Sequence, residues 1–102
     1  MIRHCVFVKF RADVGDDDKQ AVYARLDGLR ESIDGLVAAS FGPNVSPEGL
    51  GRDYDDGFIM DFVDVAARDA YLVDADHRAA GQQLVSLLEG GRDGVLVFDL
   101  EI

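Results

Sequence analysis

Four short runs rich in β-branched and aromatic residues dominate the chain: IRHCVFVKF at 2–10, LVAASFG at 36–42, GFIMDFV at 57–63 and VLVFDLEI at 95–102. Between the first and second run, Ala21, Val22, Leu26, Leu29 and Ile33 recur at helical spacing after the acidic stretch DDDKQ. Between the third and fourth, VAARDAYL and HRAAGQQLVSLLE carry the same periodicity, interrupted at Asp74-Ala75-Asp76. The order is β-α-β, loop, β-α-β, and two such halves predict a ferredoxin-like βαββαβ α+β sandwich. Its four-stranded antiparallel sheet carries the helices on one face. A chain of 102 residues holds one such domain, spanning 1–102.

Local punctuation fits this reading. Asp16 or Asp17 can cap the first helix, and the acids around them suit the positive end of its dipole. That helix is predicted to run to about Ser32 and to end at Asp34-Gly35. Asp64 caps the shorter one. From Pro43 to Asp56 two prolines and two glycines predict a long loop with room for a mobile flap.

The first strand sorts into two faces, Ile2, His4, Val6, Val8 and Phe10 on one and Arg3, Cys5, Phe7 and Lys9 on the other. Helices cover only one side of the sheet, yet the strands are apolar on both. Phe7 opposes Val6 and Val8, Ile59 opposes Met60, and Val95 and Val97 oppose Leu96 and Phe98. A solvated sheet face alternates cleanly, so a bare apolar one is a partner surface. The sequence therefore predicts a homodimer joined through the uncovered sheet face, with Phe7 and Val97 placed on it.

Charge narrows the partners further. Twenty acidic against ten basic residues give a net charge of −10, which argues against nucleic acid and anionic membrane surfaces. No apolar run approaches the ~20 residues that span a bilayer. Cys5 is the single cysteine, so no intrachain disulfide forms, and a cytoplasmic setting is expected. Asn44-Val45-Ser46 has the form of a glycosylation acceptor, but with no export signal it is read as loop chemistry. No cofactor motif is visible, and no histidine spacing puts two metal ligands on one face.

The chemistry-bearing residues sit in YLVDADHRAAG, 71–81. On one straight helix, six residues rotate the chain by about 600°, leaving Tyr71 and His77 about 120° apart. They converge only if the chain breaks between them, at Asp74-Ala75-Asp76. His4, on the predicted helix-facing side of the first strand, would then point to the same cavity. A histidine is a general base near neutral pH, and a tyrosine hydroxyl can donate to a carbonyl that gains negative charge as an adjacent proton leaves. Asp74 or Asp76 could orient the imidazole. The structural alternatives are a helix-start histidine at 77, a tyrosine covering the core edge, and a satisfied core histidine at 4.

Taken together, HCVFVKFR, FGPNVSPEG, DYDDGFIMDFVDVAARDAYLVDADHRAAG and VLVFDLEI resemble the stress-responsive A/B barrel (Dabb) family over the whole chain. That resemblance implies a dimeric α/β barrel. In one plant branch of the family, the cofactor-free cyclases of the olivetolic acid type, the tyrosine and histidine of the Y-x5-H pattern are catalytic. They match Tyr71 and His77, and a pocket-lining histidine matches His4. The sequence departs from that branch at Ala75, commonly proline, and near Leu26, where the plant pocket has a tyrosine; Tyr23 lies one turn earlier. The candidate site is therefore Tyr71 and His77 as catalytic residues, with His4, Tyr23, Val6 and Leu26 binding a small carbonyl or phenolic ligand and no cofactor. The alternatives are a dimeric stress-response or ligand-binding module without turnover, and a monooxygenase-like barrel.

Overall fold

A computed structural model describes residues 1–102. The chain forms β1 (Ile2–Val8), α1 (Asp16–Asp27), β2 (Leu36–Pro43), β3 (Asp56–Phe62), α2 (Val65–Val73), α3 (Ala75–Ser86) and β4 (Val95–Glu101). The sheet order is β2-β3-β1-β4, with every neighbouring pair antiparallel. This is the predicted ferredoxin-like sandwich.

Most boundaries fall within a residue of expectation, and the first helix shows where local chemistry intervened. It is α-helical only to Asp27 and tightens into a 3-10 turn over Gly28–Glu31, where glycine is a poor α-helix former. Neither Asp16 nor Asp17 caps it. Gly15 holds the cap position, and Asp16, Asp17 and Asp18 occupy the first turn instead, opposite the positive end of the dipole. At α2 the expectation holds, since the Asp64 carboxylate accepts from the Ala67 amide at 2.9 Å. Gly35 marks a close crossing. It adopts φ +86°, and a Cβ there would lie 2.6 Å from that of Ala67, so β2 passes beneath α2 only because the side chain is missing.

Ile2, His4, Val6, Val8 and Phe10 are all buried on the helix side of the sheet. They meet Val22, Tyr23 and Leu26 from α1, Leu29 from the 3-10 turn, Tyr71 from α2, and Ala80 and Leu84 from α3. Val6 and Leu26 are thus members of the packed core.

Register assigns the other face. Cys5 lies opposite Ile59 on β3 and Phe98 on β4, and Phe7 lies opposite Leu96. Hence Cys5, Phe7, Ile59, Leu96, Phe98 and Leu100 share the uncovered face. Val97 does not. It pairs with Val6 and belongs to the helix side, which corrects its sequence assignment. It is nevertheless 50% exposed, against 44% for Phe98; α2 packs on β1 and β3 and reaches the edge strand β4 through the hydrogen bond from Arg68 to Asp99.

The segment between β2 and β3 is tied to the sheet. Asn44 N–H donates to the Asp55 carbonyl at 2.9 Å, the Asn44 side-chain amide donates to the Tyr54 carbonyl at 3.2 Å, and Lys9 lies over the Tyr54 ring.

Candidate functional site

The break that the Tyr71–His77 spacing required is present. Helix α2 ends at Val73, Asp74 is extended at φ −67° and ψ 132°, and α3 begins at Ala75. The kink brings the Tyr71 and His77 rings together, with centroids 3.8 Å apart and planes 30° from parallel. His4 reaches the same place from β1. Its ring meets Tyr71 edge-on at 5.7 Å, and Phe62 from β3 packs against both. Residues 4, 62, 71 and 77 therefore form one aromatic cluster between the sheet and the α2–α3 joint.

The electrostatics of this cluster follow from burial. Tyr71 is 1% exposed, and burial, with the nearby Asp74 carboxylate, raises its pKa above the ordinary phenol value. Burial lowers the pKa of His77, and the neighbouring His4 adds to this; the Tyr71 backbone and Asp74 oppose it only in part. His77 is neutral at pH 7. Its Nδ1 and the Asp74 Oδ2 are buried without hydrogen-bond partners. Asp76 is exposed.

The acid that orients a histidine here is Asp99, which sequence reasoning did not single out. His4 and Asp99 are directly opposed in the β1–β4 register, with Nδ1 and Oδ1 2.7 Å apart. The other carboxylate oxygen takes a hydrogen bond from Arg68 of α2 at 2.5 Å. Burial alone would raise the Asp99 pKa, but the hydrogen bonds from Arg68 and His4 hold it below the usual carboxylate value. Facing a carboxylate, Nδ1 is the nitrogen that carries the shared proton, and the bond sets the orientation of the His4 ring. The visible sign of this was an acid, Asp99, in the middle of the apolar run VLVFDLEI, at a phase set by pairing and not by the run itself.

Tyr23 lies in a different cluster, with Phe10, Phe41 and Phe58. Its hydroxyl donates to the buried Asp56 carboxylate, and burial followed by that bond raises its pKa. Phe58 and Phe62 anchor the two clusters on one strand, about 13 Å apart along β3. The structure thus brings Tyr71, His77 and His4 together, separates Tyr23 from them, and packs Val6 and Leu26 in the core. No three histidine, cysteine or acidic side chains are grouped so as to hold a metal ion. The two principal cavities lie elsewhere. One of about 570 Å³ opens on the uncovered sheet face, and one of about 340 Å³ lies beside Tyr23 and Phe41.

No helix of the chain is long and apolar enough to cross a membrane. A dimeric ferredoxin-like protein of unknown function from Jannaschia sp. CCS1 is 38% identical, with a TM-score of 0.91 over 99% of this chain and 98% of its own. The hydroxynitrile lyase of Passiflora edulis shares the fold at 16% identity, with a TM-score of 0.81 over 99% of this chain and 92% of its own. SnoaB, a cofactor-independent oxygenase from Streptomyces nogalater, shares it at 12% identity, with a TM-score of 0.76 over 99% and 91%. No curated protein matches the chain by sequence. The model of the stress responsive A/B barrel domain matches residues 2–102, and the chain belongs to that Dabb family.

Proposed function

We propose that this protein is a homodimer that acts on a small carbonyl or phenolic compound by proton transfer at Tyr71 and His77. The observation that carries this reading is the 3.8 Å stacking of the two rings across the broken helix. Neutral His77, half-buried at the start of α3, takes a proton from the carbon next to a substrate carbonyl. The Tyr71 hydroxyl donates to the carbonyl oxygen as it becomes an enolate oxygen. The imidazolium then returns the proton to carbon or to a leaving group, so the catalyst is regenerated. His4, oriented by Asp99, supports Tyr71 from the sheet side. Aldol-type ring closures, eliminations next to a carbonyl and keto–enol isomerisations begin with such a step. That a hydroxynitrile lyase and a cofactor-independent oxygenase are built on this fold supports the scaffold's suitability, not a particular substrate.

Dimerisation is supported by the dimeric Jannaschia relative and by the exposed apolar side chains of β4. A second reading, a ligand-binding or stress-response dimer without turnover, draws on the closure of the cluster around Tyr71, 1% exposed.

The test is deuterium exchange at the α-carbon of simple β-keto acids, followed by proton NMR, for the wild type, His77→Ala and Tyr71→Phe. Loss of about 100-fold in exchange rate in each variant is expected. Exchange no faster than in buffer for the wild type would leave the module without turnover.

A further inference from the structure

Helices α2 and α3 both start at an aspartate, and the two aspartates are used differently. Asp64 caps α2, its carboxylate accepting from the amide three residues on, Ala67, at 2.9 Å. Asp74 holds the same place before α3, with His77 three residues on, yet its side chain makes no capping bond. Its own amide donates to the Tyr71 carbonyl at 3.2 Å, so the reciprocal bond of a capping box is closed to the His77 side chain. The residue joining the two helices therefore carries an unused carboxylate. Three residues on, where Asp64 meets an alanine, Asp74 meets an imidazole.

Two buried side-chain polar atoms lack hydrogen-bond partners, and they are Asp74 Oδ2 and His77 Nδ1. Neither is open to solvent, so water does not satisfy them. Buried polar groups are nearly always bonded, and an orphan calls for a functional reason. Here each atom is what the other lacks. The carboxylate accepts, and a neutral imidazole with its proton on Nδ1 donates. Residues three apart on a helix are neighbours, so side-chain rotation about the α2–α3 joint is what pairs them. The Asp74 charge already acts on both His77 and Tyr71.

We infer that Asp74 is the positioning residue of His77: its carboxylate accepts from Nδ1–H, sets the imidazole, and presents the Nε2 lone pair to the substrate. This rests on the proton-transfer reading of Tyr71 and His77, and it names the nitrogen that acts as base. Nε2 takes the α-proton, Nδ1–H stays on Asp74 through the imidazolium, and the Nε2 proton then returns to carbon or to the leaving group. Of the other acids near the site, Asp76 is exposed and Asp99 is engaged by His4 and Arg68. The charges that bear on His77 are Asp74, which favours the imidazolium, and His4 on β1 and Arg78 on α3, which oppose it. Neutralising Asp74 therefore makes the imidazole a weaker base.

The test is nitrogen-15 NMR of the His77 ring in the full chain, assigned by its loss in His77→Phe. Above the titration of the ring, the wild type is expected to carry its proton on Nδ1 and to leave Nε2 free. Asp74→Asn keeps an oxygen for Nδ1–H and removes the charge, whereas Asp74→Ala removes both. Since Asp74 makes no capping bond, both variants should fold. Each should titrate about one pH unit lower at His77, and only the alanine variant should spread the proton over both nitrogens. Deuterium exchange of acetoacetate should slow about tenfold in Asp74→Ala. Its acid limb should move down with the NMR titration in both variants, which the loss of a merely structural cap would not cause. A wild type with Nδ1 unprotonated, or a His77 titration unchanged in both variants, would overturn the assignment. Equal exchange by the wild type and Asp74→Ala would also overturn it, while sparing the proton-transfer reading. The expected ring signature without any acetoacetate exchange would do the reverse, leaving the pair in place and removing the reaction.

Discussion

His4 and Asp99, 95 residues apart in sequence, face each other across β1 and β4 with Nδ1 and Oδ1 2.7 Å apart. Arg68 holds the other carboxylate oxygen, so one acid ties the first strand, the last strand and α2. Asp99→Ala should cost about 2 kcal/mol in urea denaturation, the range for hydrogen bonds to charged groups. The folded-state pKa of Asp99 is depressed. Its stabilisation is therefore present above the unfolded value near 3.9 and is lost as pH falls through the lower folded value. Asp61, held down by its bond with Arg3, behaves alike. Asp99→Asn should consequently show a shallower loss of stability below pH 4 than the wild type; equal slopes would mean that the pair contributes nothing.

His77 gives an acid limb at higher pH. Its folded pKa is lowered by burial and by His4, so the contribution is present above the unfolded value near 6.5 and is lost as pH falls through the folded one. The urea midpoint of the wild type should drop between pH 7 and pH 5. His77→Phe keeps a ring against Tyr71 and removes the titration, so its midpoint should stay level over that interval. A parallel decline in both proteins would assign the limb to other groups.

Much of this was legible in the sequence because it depends on period and punctuation. The alternation Ile2, His4, Val6, Val8 fixed the buried face of β1, and the Asp74-Ala75-Asp76 interruption fixed the convergence of Tyr71 and His77. What depends on register was not legible. Val97 went to the wrong face because β4 is apolar on both, so alternation carries no phase there. Asp99 escaped notice for the same reason, since an acid in an apolar strand becomes meaningful only once β1 sets His4 opposite it. Tyr23 shows a third limit. Its helical position predicts burial, but only the long-range packing of Phe41 and Phe58 decides which cluster it joins.

The two buried tyrosines should respond differently to loss of the hydroxyl. Tyr23 donates to buried Asp56, which otherwise accepts only from the Gly57 amide at 3.2 Å. Tyr23→Phe leaves a buried carboxylate short of a donor and should cost roughly 1–3 kcal/mol. The hydroxyl of Tyr71 has no such partner, so Tyr71→Phe should change stability by less than about 0.5 kcal/mol, whereas Tyr71→Ala, which empties the space between Phe62 and His77, should cost roughly 3–5 kcal/mol. Thermal and urea unfolding of the three variants check the ranking. A costly Tyr71→Phe would place a buried acceptor at that hydroxyl.

The edge strand offers the sharpest test of assembly. Phe98 stacks with Phe7 at 5.7 Å on the uncovered face and is 44% exposed, while Val97 points to the helix side and is 50% exposed. Neither is needed to fill the core of one chain, so an aspartate at either position should be tolerated by an isolated protomer. In a dimer joined through the uncovered face, Phe98→Asp buries an unpaired charge. A cost of about 3 kcal/mol would weaken association roughly 100-fold. Light scattering at micromolar concentration should then report a dimer for the wild type and a monomer for Phe98→Asp and Phe7→Asp. Val97→Asp separates two geometries. A retained dimer means that the partner covers only the flat face, whereas a monomer means that it also wraps the free edge of β4. Unchanged mass for Phe98→Asp would remove the uncovered face from the interface, and the apolar side chains of β4 would need another partner.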